Sequence, residues 1–281
     1  MRKVGAGVLA AVTASAGAVA LAAERPRTSI SLDRSTIWQD APDQLTGLTV
    51  LSVSRDYNSV SVVARLGLVD DRSAPEPRIW GIANPVVGAV FRVRLSEHVL
   101  LSLLGGTTVP VGSGGGDGPA RPEALRAMLN GTDWGGPMFG PDHLDVYEGF
   151  RLTGSARGFT LRLRSTLHPA VRVRGAKTDP LGPRVIFTSS GLLAGYAPGR
   201  RVSVFAELAE TRFLNTPPFL VDAPDARVDR YAVAGLSFDL PLGPGRSLQP
   251  TLSLAKAVDA PKTRRSFHLV EVELVLTLGG R

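Results

Sequence analysis

The chain has 281 residues, including 31 Gly and 21 Pro, and it contains no Cys. This length fits one large domain or two small ones, and the lack of Cys excludes a disulfide framework, a thiolate metal site and a lipid anchor on Cys. The net charge is +7. The Arg residues are nevertheless scattered, and no aromatic stacking surface accompanies them, so we expect no nucleic-acid partner.

Residues 1–23 have the features of a secretory signal peptide. Arg2 and Lys3 form a positive start, and an Ala-, Val- and Gly-rich stretch follows over residues 4–21. Ala20-Leu21-Ala22 then supplies a small-x-small pattern before a polar start at Glu24. An uncleaved anchor is the alternative, but the stretch is only weakly hydrophobic. We therefore expect export and a folded domain over residues 24–281.

Alternation of apolar and polar residues predicts a series of strands after residue 27. Between residues 159 and 164, Phe159, Leu161 and Leu163 fall on one face of an extended chain, and Thr160, Arg162 and Arg164 fall on the other. The same design recurs along most of the chain. The predicted strands are 28–38, 45–56, 59–69, 85–95, 98–111, 146–154, 159–170, 185–197, 200–213, 228–242, 246–258 and 266–279.

The connections between these strands alternate in length. Short joins fall at 57–58, 96–97, 155–158, 198–199 and 243–245, and longer ones at 39–44, 70–84, 112–143, 171–183, 214–227 and 259–264. This rhythm is typical of outer-membrane barrels, which have tight periplasmic turns and larger outer loops. The pattern predicts an all-β fold, a transmembrane antiparallel up-and-down β-barrel of about twelve strands, with ten as the alternative count. A soluble sandwich, with the apolar faces packed together, is the alternative fold.

Two stretches resemble Gram-negative outer-membrane β-barrel proteins of the porin-like or transporter-like kind. They are NPVVGAVFRVRL at residues 84–95 and LLSLLGGTTVPVGSGGGDG at residues 100–118. The resemblance extends in pattern over residues 28–281. It implies an outer-membrane location, contact with outer-membrane lipid, and insertion by the outer-membrane assembly machinery.

Charged side chains are expected to line the lumen of such a barrel, because a charge facing lipid costs roughly 2–4 kcal/mol near the midplane. An Arg-rich side would favour anionic solutes. The same charges equally fit cross-pairing inside a narrow, filled interior, and the pattern does not decide between these readings. The predicted lumen-lining charges are Arg65, Arg92, Arg94, Arg151, Arg162, Arg164, Asp145, Glu207, Asp239, Glu271 and Glu273.

No catalytic, metal or cofactor site is expected. Ser266 and His268 share a face with Val270 that looks toward lipid, so no nucleophile, base and orienting group assemble there. The four His residues lack the paired spacing of metal ligands. The glycine-rich segment at 112–118 lacks the Gly-Lys-Ser/Thr that completes a phosphate-binding loop. A short helix is predicted at 120–130, either as a plug in the barrel or as part of a surface loop.

The sequence therefore predicts a passive function. We expect a narrow porin-like channel or transporter for small solutes. The alternative is a closed structural or adhesive barrel that presents its loops without transport. The pattern indicates neither the solute nor the oligomeric state.

Overall fold

The computed structural model describes residues 27–39, 44–73, 79–113, 140–175, 182–199, 201–218, 221, 227–258 and 268–279. The predicted signal peptide, the predicted helix at 120–130 and Ser266 lie outside these residues. The described part of the chain contains no apolar helix of bilayer-spanning length. The strands are β1 (Thr28–Gln39), β2 (Gln44–Tyr57), β3 (Val60–Ser73), β4 (Ile79–Ile82), β5 (Val86–Arg94), β6 (Val99–Thr108), β7 (His143–Ala156), β8 (Phe159–Arg172), β9 (Arg184–Tyr196), β10 (Val202–Phe213), β11 (Val228–Phe238), β12 (Leu240–Gly243), β13 (Arg246–Ala257) and β14 (His268–Leu278).

The strands form one closed antiparallel barrel. Neighbours in the chain pair with each other, and β1 closes the sheet by pairing with β14 from Thr28 opposite Leu278 to Trp38 opposite His268. Both β4 and β5 pair with β3, and both β11 and β12 pair with β13. Each of these two pairs of strands occupies one position in the sheet, so the fourteen strands fill twelve positions around the barrel. The predicted all-β antiparallel barrel of about twelve strands is confirmed.

A bulge separates β4 from β5, and the prediction that residues 70–84 form only a loop is wrong. Leu68 lies opposite Ile82, and Arg65 lies opposite Val86. Between these two pairs β3 advances by three residues while its partner advances by four, so one extra residue is accommodated at 83–85. Pro85 lies in this bulge, where its missing N–H breaks no ladder hydrogen bond.

A second interruption divides β11 from β12, where the sequence predicts one strand over 228–242. Ser237 pairs with Thr251 and Leu240 with Leu248, a register that puts Phe238 opposite Pro250. Proline has no backbone N–H to offer its neighbour, so the ladder is incomplete at this point. The alternation of side chains continues across the break and therefore conceals it in the sequence.

The barrel has one end with tight turns and one end with long joins. At the tight-turn end, Asn58 has a φ of 52°, and Arg157 and Gly158 have φ values of 51° and 84°. Such left-handed residues suit two-residue hairpin turns, whose twist matches that of the flanking strands. The strands reach Ala156 and Phe159 on either side of the second turn, so this turn is shorter than the predicted 155–158.

The interior of the long-join half contains both apolar and polar buried side chains, the polar ones including Asp71, Asp145 and Asp229. One buried cluster includes Ile37, Leu48 and Val69 on β1–β3, together with Tyr231 and Leu269 on the returning strands. On the facing wall, neighbouring rings run from β7 to β10. The His168 ring stacks on Phe187 with centroids 4.5 Å apart, and Tyr147 and Phe213 extend the row on either side. This half of the barrel is therefore narrow.

Candidate functional site in the barrel lumen

Strand register and burial show where the predicted lumen charges lie. Ten of them are on the inward face of a strand, alternating with apolar residues that face outward. The exception is Asp239, which lies exposed between β11 and β12 at the tight-turn end. The ten inward residues are Arg65, Arg92, Arg94, Asp145, Arg151, Arg162, Arg164, Glu207, Glu271 and Glu273.

Arginines form a continuous basic arc over β5–β8. Arg92 lies opposite Ser102, which lies opposite Arg151, and Arg151 lies opposite Arg164. Arg162 is on the same face of β8, opposite Thr153. The arc is partly neutralised, because Arg92 Nη1 pairs with Asp56 Oδ1 at 3.2 Å and Arg164 Nη2 pairs with Glu207 Oε1 at 2.7 Å. It therefore presents several positive charges to one side of the lumen.

Carboxylates form an acidic arc over β14 and β1. Asp33 lies directly opposite Glu273, and Glu271 is two residues further along the same face. Ser253 donates a hydrogen bond to Glu271 Oε2 at 3.0 Å. All three carboxylates are buried, and none of them forms an ion pair with a described residue. The lumen therefore has charges of opposite sign on different walls.

Arg65 on β3 lies between the two arcs. Its charge acts on Asp33 and Glu273 of the acidic arc and on Arg151 of the basic arc. Unlike the three carboxylates, Arg65 is exposed. A solute in the lumen can therefore reach Arg65, as it can Arg94, which is also exposed on the inward face.

One buried ion pair crosses a whole strand. Arg164 on β8 and Glu207 on β10 meet over β9, with Nη2 and Nε of the guanidinium 2.7 and 2.8 Å from Glu207 Oε1. Gly191 on β9 lies beneath them, and a Cβ at this position would collide with the carboxylate and come within 2.9 Å of Arg164 Nε. The glycine thus makes room for the pair.

Two glycines on β5 and β6 make room for an aromatic ring. The Tyr147 hydroxyl lies where a Cβ of Gly88 or Gly106 would stand, so the ring folds flat along the wall over β5 and β6. Next to it, His168 Nδ1 lies 3.1 Å from Asp145 Oδ2, and both side chains are buried. Asp145 therefore has a partner within its own wall, apart from the two arcs.

The lumen opens into a cavity of about 340 Å³ at the tight-turn end. Hydroxyl groups line much of it, from Thr153, Ser155, Thr160 and Ser203, and the charged side chains of Arg162 and Glu97 also line it. The hydroxyls and the guanidinium can donate hydrogen bonds to a hydrated anion, whereas the carboxylate of Glu97 can only accept them. This mouth and the two arcs together are the candidate functional site.

The sequence analysis did not include four inward carboxylates of the described strands, namely Asp33, Asp56, Asp71 and Asp229. Asp33 lies in the strand whose alternation is weakest, although Ser29, Ser31 and Ser35 share its inward face and signal a polar wall. Asp56 is next to the predicted turn at 57–58, and turn residues are often polar for local reasons. The ion pair of Asp56 with Arg92 depends on the register of β2, β3 and β5. Alternation within one strand does not predict that register.

The outward face of the barrel is an apolar band. Monomeric soluble proteins rarely expose contiguous apolar surface on this scale. A closed sheet with an apolar exterior also satisfies its backbone hydrogen bonds internally, as hydrocarbon requires. Exposed apolar side chains of this band include Leu32, Leu51, Val87, Phe91, Leu161, Leu192, Leu208, Leu254 and Leu274.

The chain matches no protein-family model and no curated protein sequence. Its fold is nevertheless similar to solved membrane barrels. An outer membrane channel from Pseudomonas putida F1 aligns with a TM-score of 0.61 and 11% identity, covering 95% of this chain and 99% of that one. The translocator domain of the autotransporter NalP from Neisseria meningitidis aligns at 0.56 and 13%, covering 93% and 91%. The NanC porin aligns at 0.51 and 10%, covering 89% and 100%. The chain therefore has the fold of outer-membrane β-barrel proteins.

Proposed function

We propose that the chain spans the outer membrane and that its lumen passes small solutes, with a preference for anions. The location is supported by the apolar outward band and by the resemblance in fold to outer-membrane barrels. Insertion by the outer-membrane assembly machinery follows from such a location. The proposal assigns no catalytic step to the barrel.

The separation of charge in the lumen is the observation that carries this proposal. An unpaired buried charge costs several kcal/mol, so a filled interior would be expected to pair its acidic and basic groups with one another. The carboxyl groups of Asp33, Glu271 and Glu273 form no ion pair with a described residue, and Asp33 and Glu271 share a hydrogen bond with each other instead. Charges held apart on two walls fit a passage in which water and solute ions complete the pairing.

Anions are the favoured solutes because the accessible charges are basic. Arg65 is exposed in the lumen, whereas the acidic arc is buried. Arg94 is also exposed on the inward face, at the tight-turn end of β5. A small anion entering there would meet guanidinium groups from the mouth to the middle of the barrel.

A closed barrel without transport is the second candidate. The apolar cluster and the neighbouring aromatic rings narrow the long-join half, and a solute would have to pass between them. Such a barrel would act through the loops that it presents.

Single-channel recording in planar bilayers separates the two candidates. Heat-modifiable gel mobility first establishes that the purified protein is folded. We expect small, steady conductance steps and a reversal potential in a salt gradient that indicates anion preference. Arg65→Gln should lower the anion-to-cation permeability ratio by roughly twofold, since it removes one accessible positive charge. Arg55→Gln is the matched control, because Arg55 faces outward on the neighbouring strand.

Absence of conductance from a protein that is folded in the bilayer would overturn the proposed channel and support the closed barrel. An unchanged permeability ratio in Arg65→Gln would contradict the role of the basic arc. Absence of heat-modifiable mobility would instead contradict the membrane location.

A further inference from the structure

A groove runs along the outward face of β8–β11 and β13, and it encloses about 760 Å³. Its floor contains three alanines in one row, in which Ala194 lies opposite Ala206 and Ala206 opposite Ala234. Leu161 and Leu254 lie at the two ends of the row. A methyl group is much shorter than a leucine side chain, so the row forms a trough between two ridges.

The trough is wide as well as apolar. Four inter-strand steps separate the strand of Leu161 from that of Leu254, which amounts to about 19 Å at the usual strand spacing. In the next row toward Lys256, Leu192 and Leu208 project from β9 and β10, so the groove continues to Lys256 over Ala232 alone. This leaves room for an extended acyl chain along β11.

One end of the groove is cationic. Lys256 lines it together with His268 and Trp38, and Lys256 lies directly between Ala232 and His268 in the sheet. Neither of these two neighbours is acidic. The rings of Trp38 and His268 stack with centroids 5.5 Å apart. Lys256 is the penultimate residue of β13, so this cationic end is at the long-join end of the barrel.

Further positive charge lies beside Lys256 on the same outward face. Arg230 on β11 and Arg212 on β10 share one carboxylate, that of Glu210, at 2.8 and 3.0 Å. Among the described residues of this outward surface, Lys256, Arg212 and Arg230 are positive and Glu210 is negative. A ligand with an anionic headgroup and apolar chains would complement both the charge and the trough.

We propose that this groove binds the phosphorylated glycolipid of the outer leaflet, with acyl chains over the alanines and a phosphate at Lys256. The inference rests on the membrane location proposed above and is independent of solute passage. Long joins of such barrels face outward, so the cationic end meets the outer leaflet. The glycolipid of that leaflet has acyl chains and phosphate groups, which match the apolar floor of the trough and the positive charge at its end.

Native mass spectrometry of the full-length barrel in a neutral detergent tests the site. The folded state is first established by heat-modifiable mobility, so that failure of the membrane location is recognised separately. Diphosphorylated lipid A is then titrated, and dephosphorylated lipid A and phosphatidylglycerol are titrated in parallel. Fluorescence of a variant in which Trp38 is the single tryptophan, with Trp80→Phe and Trp134→Phe, provides a second readout, because the Trp38 ring lines the groove.

We expect lipid A to remain bound to the wild-type protein and both comparison lipids to bind at least tenfold more weakly. Lys256→Gln should weaken lipid A binding about tenfold through loss of the phosphate contact, and Ala206→Leu should weaken it similarly by filling the trough. Arg55→Gln and Ala89→Leu are the controls, since both residues face outward elsewhere on the barrel. They should bind lipid A as the wild type does.

Equal retention of phosphatidylglycerol would overturn the assignment to the glycolipid. Equal binding of dephosphorylated lipid A would overturn the phosphate contact. Lipid A binding that survives both groove substitutions in a folded barrel would overturn the site itself.

Discussion

On the inward face of β9, Gly191 provides the space in which Arg164 and Glu207 meet. Replacing Gly191 by Ala would force the carboxylate away from the guanidinium and leave both charged groups buried without their best partner. We expect a loss of about 1–3 kcal/mol in the free energy of unfolding. Urea unfolding of the barrel in detergent micelles would measure this loss as a lower midpoint.

Gly195 is the matched control, because it lies on the same strand and the same face. A Cβ at Gly195 would make ordinary contacts of 3.5–3.7 Å with its neighbours. Gly195→Ala should therefore change the free energy of unfolding by less than about 0.5 kcal/mol. Equal effects of the two substitutions would show that the ion pair does not depend on the missing methyl group at 191.

The same arrangement occurs on the outward face, where the sequence does not reveal it. Arg34 on β1 and Asp70 on β3 form an ion pair across β2, above Gly47. Pairing reduces the cost of placing these charges on an apolar exterior. Alternation within one strand predicts which residues share a face. It cannot identify two charges that become neighbours only when three strands adopt one register.

At the scale of single elements, Asn84 in the bulge between β4 and β5 holds both ends of the long join that follows β6. Its Oδ1 accepts a hydrogen bond from Gly112 N at 2.7 Å, and its Nδ2 donates one to Gly140 O at 2.7 Å. Arg174 reinforces this connection by donating to Gly112 O at 2.8 Å and pairing with Asp142 at 3.2 Å. The bulge therefore fixes the points where the join leaves and re-enters the barrel.

We expect Asn84→Ala to lower the free energy of unfolding by about 1–3 kcal/mol. The substitution leaves the buried Gly112 N–H without its partner and removes one of the two hydrogen bonds that Gly140 O accepts, the other coming from His143 N. Asn215→Ala is the matched control. Asn215 also makes two backbone hydrogen bonds, to Ile186 N and Arg184 O, but it is only half-buried, so water can replace them. Its loss should stay below about 1 kcal/mol. Similar midpoints for the two variants in urea would contradict the importance of burial at Asn84.

Strand count and face were predictable from the sequence, whereas breaks in the ladder were not. The alternation of side chains and the alternating lengths of the joins predicted twelve strands and placed Arg151 and Arg164 on the inward face. The short strand β4 was missed, because Pro75 and Pro77 precede it and Pro85 follows it, a composition typical of a loop. The interruption opposite Pro250 was missed because it depends on which strand lies beside which.

At the scale of the whole molecule, the pairing of β1 with β14 is the seam that closes the sheet and gives the barrel an inside and an outside. Without this seam, two edges would expose unpaired N–H and C=O groups, and no lumen would exist. The chain has no Cys, so introduced cysteine pairs report on the seam without a background. Ser31 lies opposite Val275 on the inward face, and Leu32 lies opposite Leu274 on the outward face.

We expect Ser31→Cys with Val275→Cys, and Leu32→Cys with Leu274→Cys, to form disulfides under mild oxidation of the folded barrel. Facing Cα atoms in antiparallel strands are about 4.5–5.5 Å apart, within the range that a disulfide spans. The reducible bond would join the two ends of the chain and change its mobility on a denaturing gel. Ser31→Cys with Ser189→Cys is the control, because β9 lies away from the seam in the strand order. Oxidation of this distant pair as readily as the facing pairs, or of none of the three, would show that β1 and β14 do not close the barrel.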